Sequence, residues 1–116
     1  MNRFKELIVW QKSIQLVTEV YKITSDFSET EKFGLTSQIR RCAVSIPSNI
    51  AEGAGRDGSV EFNRFLSIAL GSSFELETQL IVAKELNYIS EQNLENFSAQ
   101  VSHIQNMIIK LKDSLK

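Results

Sequence analysis

GLTSQIRRCAVSIPSNIAEGAGR, residues 34–56, is the stretch from which the rest of the chain can be read. Leu35, Ile39, Cys42, Ile46 and Ile50 recur at intervals of three and four, the spacing of one apolar face of an α-helix. Pro47, the only proline of the chain, falls inside that helix. An interior proline deletes a backbone hydrogen bond and crowds the preceding turn, at a cost of about 3 kcal/mol. A kink at Pro47 is expected, with packing partners close enough to offset the cost. Gly53, Gly55 and Gly58 then end the helix.

The same periodicity extends in both directions. Upstream, Leu7, Trp10, Ile14, Val17 and Tyr21 form one stripe, and Val9, Leu16, Val20 and Ile23 form a second beside it. Together they predict a first helix with an apolar face wider than a coiled-coil seam. Ser28-Glu29-Thr30-Glu31 reads as a capping box that starts the second helix. Downstream, Ser59 is placed to cap a third helix running to about Asn87, with Phe62, Leu66, Ala69, Ser73, Leu76, Leu80 and Ala83 as its seam. Ser90 is placed to cap a fourth, with Leu94, Phe97, Val101, Ile104, Ile108, Leu111 and Leu115 inward. No segment alternates as a strand does. Long helices joined by short breaks predict an all-α, antiparallel up-down-up-down four-helix bundle, a single domain over residues 1–116 with helix 2 kinked at Pro47.

Composition fits that class. With 42% hydrophobic and 23% charged residues and a net charge of −1, the chain is an ordinary globular domain without the basic excess common in nucleic-acid-binding domains. A lone cysteine, Cys42, allows no intrachain disulfide and no cysteine-built zinc site. The opening MNRFKELIVW has no long apolar run followed by a cleavage site, and no apolar stretch reaches the ~20 residues of a membrane span. The cytoplasm is the expected compartment, with no membrane partner.

Several apparent motifs dissolve on inspection. Gly53-Ala54-Gly55-Arg56-Asp57-Gly58 spells GxGxxG, but it follows a helix in a chain without strands, so it is a helix stop and not a dinucleotide loop. The Glu-x-x-His motif of di-metal bundles is absent, because Gln100 stands three residues before His103, the only histidine. Cys42 lies on the apolar stripe of helix 2, and Ser45 and Ser48 flank the proline with no base placed beside them. No catalytic residue, metal ligand or cofactor is expected, and the chain reads as a non-enzyme.

Two features remain. Arg40, Arg41, Arg56 and Arg64 cluster where no lysine occurs between Lys32 and Lys84. Arginine forks pair with phosphate or carboxylate through two parallel bonds. They therefore read either as a nucleic-acid surface or as salt bridges, within or between subunits, to neighbours such as Glu52, Asp57, Glu61, Glu75 and Glu77. Helix 3 also carries apolar residues beside its seam, Phe65 and Ile68 to one side and Leu70, Phe74 and Ile81 to the other. A second burial is expected there, against another copy of the chain.

The segment 34–56, with Glu61-Phe62-Asn63-Arg64-Phe65 and the helix that follows, resembles the four-helix-bundle proteins encoded within intervening sequences of bacterial 23S ribosomal RNA genes, also labelled S23 ribosomal protein-like. The run Ser45-Ile46-Pro47-Ser48-Asn49-Ile50-Ala51-Glu52-Gly53 is the most specific part, and the resemblance covers nearly the whole chain. It implies a ring-like homopentamer. A related branch, the accessory protein of diversity-generating retroelements, implies RNA or a nucleic-acid-processing protein as partner, although that branch is basic and this chain is slightly acidic. The chain is thus expected to be a non-enzymatic oligomeric binding or scaffold protein that associates with RNA or a nucleoprotein. The alternative is a purely structural homo-oligomer whose arginines bridge subunits.

Overall fold

The computed structural model describes residues 3–116. Four helices dominate: α1 Ile8–Thr24, α2 Leu35–Ala54, α3 Ser59–Glu85 and α4 Glu91–Ser114. Short 3-10 turns at Phe4–Glu6 and Glu29–Glu31 precede α1 and α2, and no strand occurs among the described residues. Each helix packs on its chain neighbours and α1 closes on α4, while the backbones of the diagonal pairs stay apart. This is a four-helix bundle, elongated to 43 × 24 × 20 Å. The α2–α3 contact is the most extensive and the α1–α4 contact the least among these helix pairs.

The expected seams of α2, α3 and α4 are largely the buried ones: Ile39, Cys42, Ile46 and Ile50; Leu66, Ala69, Leu76 and Leu80; Phe97, Val101, Ile104 and Ile108. On α1 only one of the two stripes goes inside. Val9, Leu16 and Val20 are buried, whereas Ile14 and Tyr21 of the other stripe are exposed and Leu7, Trp10 and Val17 sit at the core's edge. Ser13 and Thr24 complete the buried line, each hydroxyl donating to a carbonyl of its own helix, Trp10 O at 2.8 Å and Val20 O at 2.7 Å. That satisfies the hydroxyl protons within α1 itself.

Three expected helix starts meet different outcomes. Ser90 caps α4 as expected, accepting from Asn93 N at 3.0 Å, with Asn93 returning the bond to the Ser90 backbone. Ser59 caps nothing: it is the first residue of α3, and Gly58, at φ +90°, turns the chain into the helix. Ser28 starts only the short turn, accepting from Thr30 N, while α2 begins at Leu35. Glu31 does not reach back to Ser28. It reaches forward, Oε1 accepting from Leu35 N at 3.1 Å, and so places negative charge at the N-terminus of α2. Its Oε2 accepts from Tyr88 OH at 3.1 Å, and Phe27 stacks on Tyr88, tying the α1–α2 and α3–α4 connections together.

Helix α2 continues unbroken through Pro47 to Ala54. Asn49 Nδ2 donates to both Ser45 O and Ser45 Oγ, supplying side-chain bonds in the turn where proline removes a backbone one. Small residues let α2 and α3 approach closely. A Cβ on Gly53 would lie 2.6 Å from Phe65 Cβ, so only glycine fits. The end of α3 is set by Asn87 at φ 65°, with Tyr88 N donating to Ala83 O and Asn87 N to Lys84 O, the paired bonds of a Schellman cap. By length and apolar composition α3 passes as a membrane span. It is the helix that supplies Leu66, Ala69, Leu76 and Leu80 to the bundle core.

Candidate binding surfaces

The four arginines do not form one patch. Arg40 is committed to α1: its Nε donates to Thr24 Oγ1 at 2.8 Å, its Nη2 to Tyr21 O at 3.3 Å, and its guanidinium lies 4.5 Å from the centre of the Tyr21 ring. A cation on the last carbonyls of α1 is favourably placed against that helix's dipole. Arg56 pairs with Glu52 at 2.9 Å and Arg64 with Glu61 at 3.4 Å. Both also cover the Phe65 ring, at 5.0 and 5.2 Å. Arg41 alone makes neither an ion pair nor a hydrogen bond among the described residues; it lines a pocket between α2 and α3.

That pocket, about 460 Å³, is lined by Phe33, Ser37, Gln38, Arg41, Cys42, Ser45, Ser72, Glu75 and Gln79. Cys42 Sγ donates to Glu75 Oε1 at 2.8 Å, and the Ser45 and Ser72 hydroxyls lie 2.9 Å apart. Burial pushes the Cys42 thiol up to about 12, with the Glu75 carboxylate adding to the effect. At neutral pH it is a protonated, weakly nucleophilic thiol. Gln79 Oε1 is desolvated and has no partner among the described residues, a cost of about 1–3 kcal/mol.

Of the residues expected to flank the α3 seam, Phe65 is inside the protomer, 7% exposed, pressed against Gly53 and covered by the two guanidiniums. Leu70 is half-buried against the core. Ile68, Phe74 and Ile81 remain exposed at 42%, 51% and 45%. Phe74 and Ile81 continue the helical stripe of Asn63, Ser67 and Leu70, and Lys112 of α4 bonds Asn63 and Ser67, so this stripe faces the α4 side. Ile109, one turn before Lys112, is also exposed there. The α3/α4 face thus carries an apolar ridge of Phe74, Ile81 and Ile109.

On the opposite face of the bundle, α1 and α2 leave an apolar groove of about 300 Å³ lined by Phe4, Trp10, Ile14, Val17, Val44, Pro47, Ser48 and Ala51. The outer stripe of α1 forms one wall. The sequence pointed to α3 but not to this groove, because a two-stripe helix does not show which stripe stays outside. A third cleft, about 470 Å³, runs between α1 and α4, lined by Lys12, Gln15, Glu19, Gln100, His103 and Ile104 among others. His103 is therefore on a different seam from Cys42 and Ser45. No cluster of three or more His, Cys, Asp or Glu side chains able to hold a metal occurs among the described residues.

A family model described as 23S rRNA-intervening sequence protein matches residues 5–110. Among solved structures, the chain is similar to a protein of unknown function from the S23 ribosomal protein family of Bacteroides thetaiotaomicron VPI-5482. The two share 26% identity and a TM-score of 0.81, over 90% of this chain and 98% of the other. No curated protein matches.

Proposed function

Because the chain belongs to the 23S rRNA-intervening sequence protein family, we propose that it is a non-enzymatic scaffold that assembles from copies of itself. In this reading the α3/α4 face of one copy seats on the α1/α2 face of the next. The observation that carries it is the pair of apolar surfaces on opposite faces: the Phe74–Ile81–Ile109 ridge and the groove between Trp10, Ile14, Val17, Val44 and Pro47. Exposed apolar surface of this kind marks an interaction site. Two different surfaces meeting head to tail make a heterologous contact, which closes into a ring when the rotation between copies allows. Five copies is the closure we propose.

The arginines do not favour a broad RNA surface. Arg40, Arg56 and Arg64 are occupied by partners in their own chain, whereas binding along a phosphate backbone needs unpaired cations on one face. Light scattering on the purified protein tests the reading. A mass about five times the 13.2 kDa of the chain is expected, and a 13.2 kDa species at micromolar concentration would overturn it.

A further inference from the structure

The α2–α3 pocket brings together groups that bundle packing does not require. Phe33 stands at its edge, 90% exposed. Arg41 makes no ion pair or hydrogen bond among the described residues, and Glu75 gives one carboxylate oxygen to the Cys42 thiol while the other has no hydrogen-bond partner among them. Ser45 and Ser72 share one hydrogen bond, which leaves one hydroxyl proton to donate. The volume, about 460 Å³, is that of a small-ligand cleft.

We propose that this pocket binds a single unpaired nucleotide, free or as one residue of an RNA strand, with its base on Phe33, its phosphate on Arg41 and its base edge on Glu75. An exposed aromatic face is a stacking platform for any base. A guanidinium matches a phosphate through two parallel bonds. A free carboxylate oxygen accepts from an exocyclic amino group. Adenine, cytosine and guanine carry such a group and uracil does not, so uridine is the weakest ligand. Lys32 lies 5.6 Å from the Phe33 ring centre, on one side of the ring, and the base takes the other. An acidic peptide would pair with Arg41 but meet repulsion from Glu75, and a basic one the reverse. A nucleotide offers an anion at one end and an amino-bearing ring at the other.

Calorimetric titration of the full chain with each nucleoside 5′-monophosphate, and with a mixed-sequence single-stranded RNA hexamer, tests this. Backbone amide shifts locate the site. Saturable binding is expected, with shifts centred on Phe33, Arg41, Ser45, Ser72 and Glu75. Phe33→Ala and Arg41→Gln should each weaken binding by about tenfold or more, and Arg64→Gln should leave it unchanged. Comparable affinity for monophosphates and hexamer assigns the free nucleotide; binding of the hexamer alone assigns the strand. The proposal is overturned by no binding at millimolar ligand, by binding that both pocket substitutions leave intact, by equal loss in Arg64→Gln, or by preference for uridine or an acidic peptide. Phe33 is exposed, so its substitution keeps the fold, which thermal melts verify. The pocket lies within one protomer, so binding by a monomer would support this proposal while removing the assembly reading.

Discussion

A methyl group added at Gly53 would lie 2.6 Å from Phe65 Cβ and 3.1 Å from Phe62 Cδ1. Alanine favours a helix over glycine by about 1 kcal/mol, but overpacking costs about 1–3 kcal/mol, and a Cβ fixed to the facing backbone has little room to yield. Gly53→Ala should therefore lower the melting temperature by several degrees, while Gly71→Ala, where a Cβ meets nothing within 4 Å, should raise it. Thermal denaturation of the two variants separates packing from propensity. Cys42 gives a second test. Its thiol keeps its proton to about 12 in the folded chain, against 9.0 for an ordinary thiol. Below the lower value both states are protonated and stability is unaffected; above it the unfolded chain loses the proton first, so stability falls as pH rises towards the higher one. Cys42→Ala should flatten that alkaline decline in urea denaturation, and the wild-type thiol should resist alkylation at pH 8 until the chain is unfolded.

At the scale of the helices, the caps make the sharpest comparison. Ser90→Ala removes a bond to Asn93 N and should cost about 1 kcal/mol. Ser59→Ala should be neutral within about 0.5 kcal/mol, because Gly58 makes the turn and Ser59 makes no cap bond. Chemical denaturation midpoints decide between them. Both serines look alike in sequence, each just before an apolar run. Ser90 was legible because the bond it makes is local. The start of α2 was not, because Glu31 answers to Leu35 and to Tyr88, which is 57 residues away. The helix count, the seams of α2 to α4 and the exposed Phe74 and Ile81 could all be read from periodicity alone. What periodicity could not supply was choice among equals: which α1 stripe goes inside, or that Phe65 turns inward against a glycine. The arginine cluster was legible as a cluster, but its division into Arg40 on α1, Arg56 and Arg64 on Phe65, and an Arg41 unpaired among the described residues depends on side-chain partners that spacing does not show.

For the whole molecule, head-to-tail assembly makes a demand that a symmetric dimer does not. Val44→Glu spoils the groove and leaves the ridge intact, whereas Phe74→Glu does the reverse. Each variant alone should run as a small species in light scattering. Mixed, they should form a one-to-one heterodimer through their two undamaged surfaces and stop there, since the remaining faces are both charged. An isologous contact would give no such rescue.

The unequal closure of the bundle also has a dynamic consequence. The α2–α3 pair is locked at Gly53 and shares the largest contact, while α1 meets α4 across an open cleft with the smallest contact of any adjacent pair. Cooperative units of lower stability open first. Hydrogen exchange should therefore find the amides of α1 and α4 released through partial openings that leave the central hairpin protected. The protein's last-surviving structure under rising denaturant should be that hairpin, so the segment 34–56 would outlast the helices at either end of the chain.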